Sequence, residues 1–187
     1  MKRIEALAVI DEVFSQDPVV VTCGATSREL ASVRTASNHL YLLDSMGLSA
    51  SVGLGLALAT ERPVAAIEGD GSLLMGLSAL ASIAYHHPPN LTLIVLDNHI
   101  HASAKSFPTQ SSRLVLVDLC RGAGLRAHHT DNPEHLRKVL IDSRSTETGP
   151  TAIVAEINPQ NASGIPFLLM DPVGIKIAFQ GFLEEAK

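Results

Sequence analysis

A chain of 187 residues, with 46% hydrophobic and 18% charged residues, is long enough for one well-buried domain and short for two. Its formal net charge of -5, with Lys and Arg scattered along the sequence, provides no basic surface for nucleic acid or an anionic membrane. Cys23 and Cys120 form no CxxC motif and are expected to be reduced thiols. These properties favour a single domain, residues 1–187, that acts on a small molecule.

The N-terminal segment, MKRIEALAVIDEVF, has acidic residues inside its apolar stretch and lacks a small-residue cleavage site, so a signal peptide is not expected. No apolar run reaches the roughly 20 residues that a membrane-spanning helix requires. We therefore expect a soluble, cytoplasmic protein that binds neither nucleic acid nor a membrane.

Short runs rich in Val, Ile and Leu alternate with helical patterns along the chain. The runs lack strict polar alternation, which is typical of parallel strands covered by helices on both faces. The predicted strands are residues 19–22, 64–67, 91–96, 125–128 and 152–157. The predicted helices are residues 1–15, 26–33, 47–60, 72–86, 112–122, 133–144 and 172–185. This alternation predicts an α/β domain with a doubly wound, mainly parallel sheet.

Two of these segments have unusual composition. The predicted helix at 47–60 contains Gly47, Gly53 and Gly55, and each glycine costs a helix about 1 kcal/mol relative to alanine. A close contact should compensate for this cost, either with the sheet of the same chain or with another subunit. Residues 158–171 have no regular pattern and are expected to cross the surface before the last helix.

Polar side chains follow two neighbouring predicted strands. The sequence EGDGS at 68–72 lies between a strand and a helix, where main-chain amides and the helix dipole favour phosphate oxygens. Asp70 would repel a phosphate unless a cation lay between them, and Mg²⁺ prefers oxygen ligands. Asp97 and Asn98 follow the next strand, where the Asn98 amide and a main-chain carbonyl are further oxygen donors. Each motif alone also fits an ordinary turn, but together they predict a Mg²⁺-bridged phosphate site.

The ordered motifs resemble the thiamine-diphosphate-dependent 2-oxo acid decarboxylases. The resemblance is to sulfopyruvate decarboxylase β chains and to the C-terminal portion of phosphonopyruvate decarboxylases. The similar segments are TSREL at 26–30, SMG at 45–47, GDGSLLM at 69–75, PPNLTLIVLDN at 88–98 and IKIAF at 175–179.

The resemblance implies a set of ligand-binding residues. Asp70, Asn98 and the main-chain oxygen of Ile100 would bind Mg²⁺. Met46 would hold the cofactor in a bent form, although it could also be an ordinary core residue. The loop with Gly24 and Thr26 could approach the diphosphate or form only a turn. The implied cofactor-binding residues are Gly24, Thr26, Ser45, Met46, Gly47, Gly69, Asp70, Gly71, Ser72, Asn98 and Ile100.

The implied reaction is the decarboxylation of a small 2-oxo acid to an aldehyde, with the chemistry supplied by the cofactor. In this family, the glutamate that protonates the pyrimidine ring of the cofactor lies on another domain. The chain is too short to contain that domain. The resemblance therefore predicts an α-type partner chain that carries the glutamate, and self-association into a larger oligomer.

The loop after the DN motif departs from the family pattern. Residues 104–107, AKSF, replace a TGGQ sequence, whereas Ser103, Pro108 and Thr109 fit. The loss of two glycines implies a changed backbone path. Lys105 could hold a second anionic group of the substrate or could be a solvated loop residue.

No catalytic residue is assigned from the sequence. Histidine is a common proton donor, which makes His99 and His101 candidates, but they could also be solvent-facing loop histidines. The alternative to a decarboxylase subunit is a non-catalytic thiamine-diphosphate-binding chain with a regulatory or scaffold role, which the altered loop suggests. A nucleotide-binding protein is disfavoured because neither GxGxxG nor GxxxxGK[ST] occurs.

Overall fold

Six parallel strands form the central sheet. The computed structural model describes residues 1–102, 104–144 and 149–185. Across the sheet, the strands follow the order β2 (His39–Tyr41), β1 (Val19–Val21), β3 (Val64–Gly69), β4 (Leu91–Asp97), β8 (Thr151–Glu156) and β7 (Arg126–Thr130). All neighbouring pairs in this order are parallel. A separate antiparallel hairpin consists of β5 (Ile100–His101) and β6 (Phe107–Pro108).

Helices cover both faces of the sheet. One face carries α1 (Arg3–Val13), α2 (Ala25–Val33) and α7 (Pro133–Ser143). The opposite face carries α3 (Ser49–Ala59), α5 (Ser78–His86) and α6 (Leu116–Gly122). The remaining helical elements are α4 (Asp70–Met75), a 3₁₀ turn at Gln110–Ser112 and α8 (Pro172–Glu185). Within the described ranges, no helix is both long enough and apolar enough to cross a membrane.

The predicted α/β architecture with a doubly wound parallel sheet is confirmed, and all five predicted strands belong to the sheet. Strand β2 was not predicted because its short sequence includes a histidine. In the structure His39 is buried, with Nε2 2.9 Å from Asp11 Oδ1 and Nδ1 3.1 Å from the Tyr41 hydroxyl. Polar partners on α1 and on the same strand thus make a buried histidine tolerable.

Two predicted helices have different bounds. The predicted helix at 72–86 is divided into α4 and α5, and the predicted helix at 112–122 becomes α-helical only at Leu116. The break between α4 and α5 lies at Gly76, where a Cβ atom would stand 1.9 Å from the main-chain oxygen of Gly47. Two backbone segments therefore pass in direct contact at this point, and Gly47 adopts a left-handed φ of +78° there.

The order of the strands creates a crevice at one edge of the sheet. From β1 the chain moves outward to β2, and it then returns to the other side of β1 to form β3. Ligands of open α/β sheets bind where the strand order reverses in this way, beyond the carboxyl ends of the strands. Residues 158–171, here called the strap, contain no helix or strand and connect β8 to α8 near this edge.

The glycines of α3 have different surroundings. A Cβ atom on Gly53 would lie 2.6 Å from the Cβ atom of Ala66 on β3, so Gly53 allows α3 to pack closely on the sheet of its own chain. A Cβ atom on Gly55 would meet nothing within 4 Å. The close contact of Gly53 is therefore intramolecular. Gly55 lies on the exposed side of α3, away from the sheet.

We expect Gly53→Ala and Gly55→Ala to have opposite effects on the free energy of unfolding. The first should destabilise the protein by about 1–3 kcal/mol, because Ala66 on the sheet cannot move away easily. The second should stabilise it by about 0.5–1 kcal/mol, since alanine loses less backbone entropy in a helix. Urea unfolding of both variants measures the difference, and equal effects would contradict the packing assigned to Gly53.

Candidate functional site

A cleft of about 320 Å³ lies beyond the carboxyl ends of the parallel strands. Its walls come from the segments that follow β1, β2, β3 and β4, together with the strap. The predicted cofactor-binding residues that line it are Gly24, Thr26, Met46, Gly69, Asp70, Gly71, Ser72, Asn98 and Ile100. Ser45 and Gly47 belong to the same loop as Met46 but do not belong to the cleft lining. Cofactor binding stays a prediction for all eleven residues.

Met46 is at the rim of the cleft. Its side chain is 37% exposed and lines the cleft at the same time. It is therefore not an ordinary core residue, which was the other interpretation of its position. A flexible thioether in this position can pack against an organic ligand that extends out of the cleft.

Asp70 is the buried acid of the site. It is the first residue of α4 and follows β3 directly. Its Oδ2 atom accepts hydrogen bonds from the hydroxyl of Thr109 and, at 2.9 Å, from the hydroxyl of Ser111. Both hydroxyls follow the β5–β6 hairpin, so the loop after β4 folds back to orient the carboxylate.

A second carboxylate shares the Ser111 hydroxyl. The oxygen of Ser111 lies 2.9 Å from Asp70 Oδ2 and 2.8 Å from Asp97 Oδ1, and its single hydrogen can be donated to only one of them. Burial raises the pKa of Asp97; the Asp70 carboxylate adds to this shift, and the hydrogen bond from Ser111 opposes it. If Ser111 donates to Asp97, Asp70 still accepts from Thr109, and Asp97 also accepts from the His99 amide at 3.1 Å. The site thus places two carboxylates close together.

The donor atoms near Asp70 are suited to a hard cation. Asn98 is buried and its Oδ1 atom accepts from the Ile100 amide at 3.3 Å, which holds the two residues in one turn at the cleft. A carboxylate, an amide oxygen and a main-chain oxygen are the ligand types that Mg²⁺ prefers. In the part of the chain that the structure describes, no group of three or more His, Cys, Asp or Glu side chains could hold a metal. The predicted ligand set is not such a group, since it contains one carboxylate and two neutral oxygens.

The two histidines that the sequence offered as candidates for proton transfer differ in their position relative to the cleft. His99 is outside the cleft lining, and its Nδ1 atom lies 3.0 Å from the Ser111 hydroxyl and 3.2 Å from Asp97 Oδ1. His101 lines the cleft and covers Gly71, where a Cβ atom would come within 2.3 Å of the imidazole Cε1. Only a glycine at position 71 lets the imidazole ring approach the start of α4 so closely.

The altered loop keeps a backbone that glycine favours. Lys105 and Ser106, which replace the two glycines of the family pattern, have φ values of +53° and +57°. Two non-glycine residues thus adopt the left-handed conformation at an energetic cost. The changed backbone path stays a prediction. Lys105 is exposed and does not line the cleft. Ser103 lies outside the described residues.

Ser72 holds several loops of the site together. Its hydroxyl donates to Glu68 Oε2, accepts from the Gly47 amide at 2.8 Å and lies 3.0 Å from the Thr22 hydroxyl. Glu68 in turn accepts from the Ala50 amide at 3.1 Å at the start of α3. The hydroxyl is thus engaged by the protein, so a ligand contact by Ser72 would come from its main-chain amide.

Glu68 is a functional residue of the scaffold that the sequence motif did not single out. It is fully buried, and burial raises the pKa of its carboxyl group, although hydrogen bonds from Ser72 and Ala50 oppose the shift. A charged residue inside the apolar run VAAIEG was a signal that it needs buried partners. Thr109 and Ser111 gave no comparable signal, because their contacts depend on the fold of the hairpin.

Comparison with known proteins identifies the type of domain. The family described as the C-terminal TPP binding domain of thiamine pyrophosphate enzymes matches residues 22–155, which include the loops after β1, β2, β3 and β4. The chain belongs to this family. The buried acid, the glycine-flanked turn and the cleft therefore lie in a domain type whose members bind thiamine pyrophosphate.

Similar proteins occur in two lengths. The chain is 32% identical over 185 residues to sulfopyruvate decarboxylase subunit beta of Methanococcus maripaludis, with 99% of each chain covered. It is 33% identical over 188 residues to the same subunit of Methanothermobacter thermautotrophicus, with 100% of this chain and 96% of the relative covered. It is 37% identical over 183 residues to phosphonopyruvate decarboxylase of Streptomyces viridochromogenes, with 97% and 46% covered. The chain thus spans about half the length of the phosphonopyruvate decarboxylases that it matches.

Solved structures share the fold. Benzoylformate decarboxylase from Polynucleobacter necessarius matches with a TM-score of 0.72 at 18% identity, over 84% of this chain and 33% of the other. The thiamine diphosphate-dependent 4-hydroxybenzoylformate decarboxylase of Rhodococcus jostii RHA1 matches with a TM-score of 0.73 at 20% identity, over 87% and 33%. At these identities the likeness establishes the fold alone.

Ser72→Ala should lower the free energy of unfolding by about 1–3 kcal/mol, because the buried Glu68 carboxylate and the Gly47 amide both lose a partner. Ser82→Ala, on the exposed side of α5, is the matched control and should change stability by no more than about 0.5 kcal/mol. Chemical denaturation of the two variants provides the comparison. Equal stabilities would mean that the Ser72 hydroxyl does not connect the loops of the site.

Proposed function

We propose that this chain is the cofactor-binding subunit of a thiamine-diphosphate- and Mg²⁺-dependent decarboxylase that acts on 2-oxo acids of the sulfopyruvate or phosphonopyruvate type. The observation that carries the proposal is the buried Asp70 carboxylate in a cleft of a TPP-binding domain. Relatives of nearly the same length are β subunits of sulfopyruvate decarboxylase, which supports a two-chain enzyme. Residues 1–187 as one domain, and a cytoplasmic location, remain predictions.

In this proposal, the chain holds the anionic end of the cofactor. Asp70, Asn98 and the main-chain oxygen of Ile100 bind Mg²⁺, which neutralises the charge between the carboxylates and the diphosphate. The amides at 69–72 and the loop with Gly24 and Thr26 receive diphosphate oxygens, since the strand ends and the cleft supply them side by side. Thiamine diphosphate, when bound, supplies the nucleophilic carbon and the electron sink for the loss of CO₂.

The rest of the proposed mechanism concerns what the side chains do around the cofactor. Met46 would pack against the cofactor at the rim of the cleft, where its side chain is partly exposed and lines the cleft. His101, which lines the same cleft, is the better placed of the two histidines for proton transfer. The hydroxyls of Thr109 and Ser111 fix the Asp70 carboxylate, so that the metal position does not depend on a mobile acid.

The partner is proposed to be an α-type chain with the pyrimidine-side domain and its glutamate. Residues 45–60 and 71–87 contain no Asp, Glu, Lys or Arg, although α3 and α5 are surface helices. Exposed large apolar side chains cluster on the same segments: Leu48, Leu58, Met75, Leu77 and Tyr85. Depletion of charge together with exposed apolar residues is characteristic of the centre of a protein interface. Because Met46 joins this face to the cleft, a chain docked here would also cover the cofactor.

A non-catalytic regulatory or scaffold chain was the alternative, and its main argument was the altered loop. The left-handed conformations of Lys105 and Ser106 weaken that argument, because the backbone at the two replaced glycines still has a conformation that glycine favours. The decarboxylase subunit is therefore the preferred function.

Asp70→Ala should weaken the binding of thiamine diphosphate by more than about a hundredfold, because the cation that bridges the protein and the diphosphate is lost. Asp118→Ala, an exposed acid on α6, is the matched control and should leave binding unchanged. Isothermal titration in Mg²⁺ and in EDTA measures both effects. Unchanged cofactor affinity in EDTA would overturn the metal-bridge assignment.

The isolated chain should release CO₂ from sulfopyruvate or phosphonopyruvate at a negligible rate, and the correct α-type chain should restore activity. Without the partner, no glutamate reaches the pyrimidine and water enters the cleft, which screens the charges that favour the reaction. A glutamate-to-alanine change on the partner should remove activity but leave Mg²⁺-dependent cofactor binding here intact. Rapid CO₂ release by a preparation that mass spectrometry shows to be free of a partner would contradict this division of labour.

A further inference from the structure

The strap is anchored at one wall of the cleft by a buried charge cluster. Arg3, which is only 4% exposed, donates from Nη1 to Glu29 Oε1 at 2.8 Å and to Asn161 Oδ1 at 2.8 Å. The amide of Ala162 also donates to Glu29 Oε1, at 3.0 Å. The strap is therefore hydrogen-bonded to the start of α1 and to the middle of α2, and Asn161 forms part of the cleft wall.

Arg28 lines the cleft beside the strap. Its guanidinium carbon lies 5.0 Å from the centroid of the Phe167 ring, and Phe167 also lines the cleft. Stacking on an aromatic face orients a guanidinium group and leaves its N–H edge available to an anion. Arg3 is neutralised by Glu29, but the ion pairs of the described residues do not include Arg28. The cleft thus contains an oriented cation without a carboxylate partner in the described part of the chain.

The first turn of α2 adds to the positive character of this wall. The helix begins after Gly24, which has a φ of +82°, and no side chain among the described residues accepts a hydrogen bond from its first amides. Thr26 and Ser27, in that first turn, line the cleft. Amides without a partner at the start of a helix favour the binding of an anion. They would therefore add to the attraction that Arg28 exerts on an anion in the cleft.

Most of the residues that support Arg28 lie outside the segment that matches the family model, although Glu29 lies inside it. The family match covers residues 22–155, whereas Arg3, Asn161 and Phe167 all fall beyond it. A device for holding the common cofactor would be expected within the common domain. Supports outside it point to a ligand that differs between enzymes, which is the substrate.

We propose that Arg28 is a specificity-determining residue that binds the second anionic group, a sulfonate or phosphonate, of a short 2-oxo acid. This inference rests on the proposed function. A guanidinium fork matches the oxygens of either group and can donate two parallel hydrogen bonds. Phe167 and the anchored strap position the fork. Lys105, the cation that the sequence suggested for this task, is exposed and does not line the cleft.

The first test uses the chain saturated with Mg²⁺ and thiamine diphosphate, titrated with 3-phosphonopropionate and with propionate. Arg28→Gln should weaken the binding of 3-phosphonopropionate by roughly tenfold to a hundredfold and leave propionate unaffected, because only the former has the second anion. Arg28→Lys should restore part of the loss. Lys138→Gln, which removes one positive charge from the exposed surface of α7, should have no effect.

The wild-type chain and Arg28→Gln are also titrated with thiamine diphosphate in Mg²⁺ before 3-phosphonopropionate is added. This titration shows whether Arg28 binds the diphosphate of the cofactor or the second anionic group of the substrate. If Arg28→Gln weakens thiamine diphosphate as much as 3-phosphonopropionate, Arg28 serves the diphosphate and the proposal fails. It also fails if the loaded wild-type chain does not bind 3-phosphonopropionate at millimolar concentration, since every proposed contact lies on this chain. If the wild-type chain does not bind the cofactor, the proposed function is contradicted, and this inference fails with it.

A second test uses the enzyme completed by its partner chain. With sulfopyruvate or phosphonopyruvate, Arg28→Gln should raise KM by tenfold or more and change kcat little, because the lost contact holds the substrate and not the reacting atoms. With pyruvate, both constants should stay near the wild-type values. Equal losses for pyruvate and for the anionic substrates would show that Arg28 has a general structural role and no role in specificity.

Discussion

The buried carboxylate of Asp70 imposes the constraint to which the rest of the site is adapted. It lies at the junction of β3 and α4, in a position where amides would otherwise attract an anion. Asp97, at the end of the next strand, shares the Ser111 hydroxyl with it. Two neighbouring carboxylates repel each other, and a cation would reduce that repulsion and also make the cleft compatible with a diphosphate.

Close backbone contacts keep this arrangement rigid. Gly47 and Gly76 pass one another without room for a side chain, which fixes the loop of Met46 against the α4–α5 junction. The Ser72 hydroxyl connects that same loop to Glu68 and to the end of β1. The groups proposed to receive the cofactor therefore lie on segments that are joined to each other as well as to the sheet. Such preorganisation reduces the reorganisation that charge development in a reaction would require.

One part of the cleft lies inside the segment that matches the family model, and another part lies outside it. The loops after the first four strands of the sheet in chain order fall inside the family match, and they contain the proposed metal and diphosphate ligands. Arg3 and the strap, which includes Phe167, lie outside it, and Phe167 contacts Arg28 in the same cleft. The uncharged outer face of α3 and α5 provides a third region, suited to a partner chain. In the proposed function, separate groups of residues therefore serve cofactor binding, selection of the substrate and assembly.

The sequence by itself determined the features that depend on local pattern. Apolar runs and breakers identified five strands and the α/β class, and the acid in GDGS together with Asp97-Asn98 indicated a cation at two strand ends. The strand and fold inferences succeeded because periodicity acts over a few residues, whereas the cation at the two strand ends stays a prediction. Only the tertiary structure decided that Gly53 packs on its own sheet, that β2 forms around a buried His39, and that Lys105 lies outside the cleft. The partners of Arg28 and Ser72 were equally inaccessible, because Phe167 and Gly47 are distant in sequence and approach them only after the chain has folded.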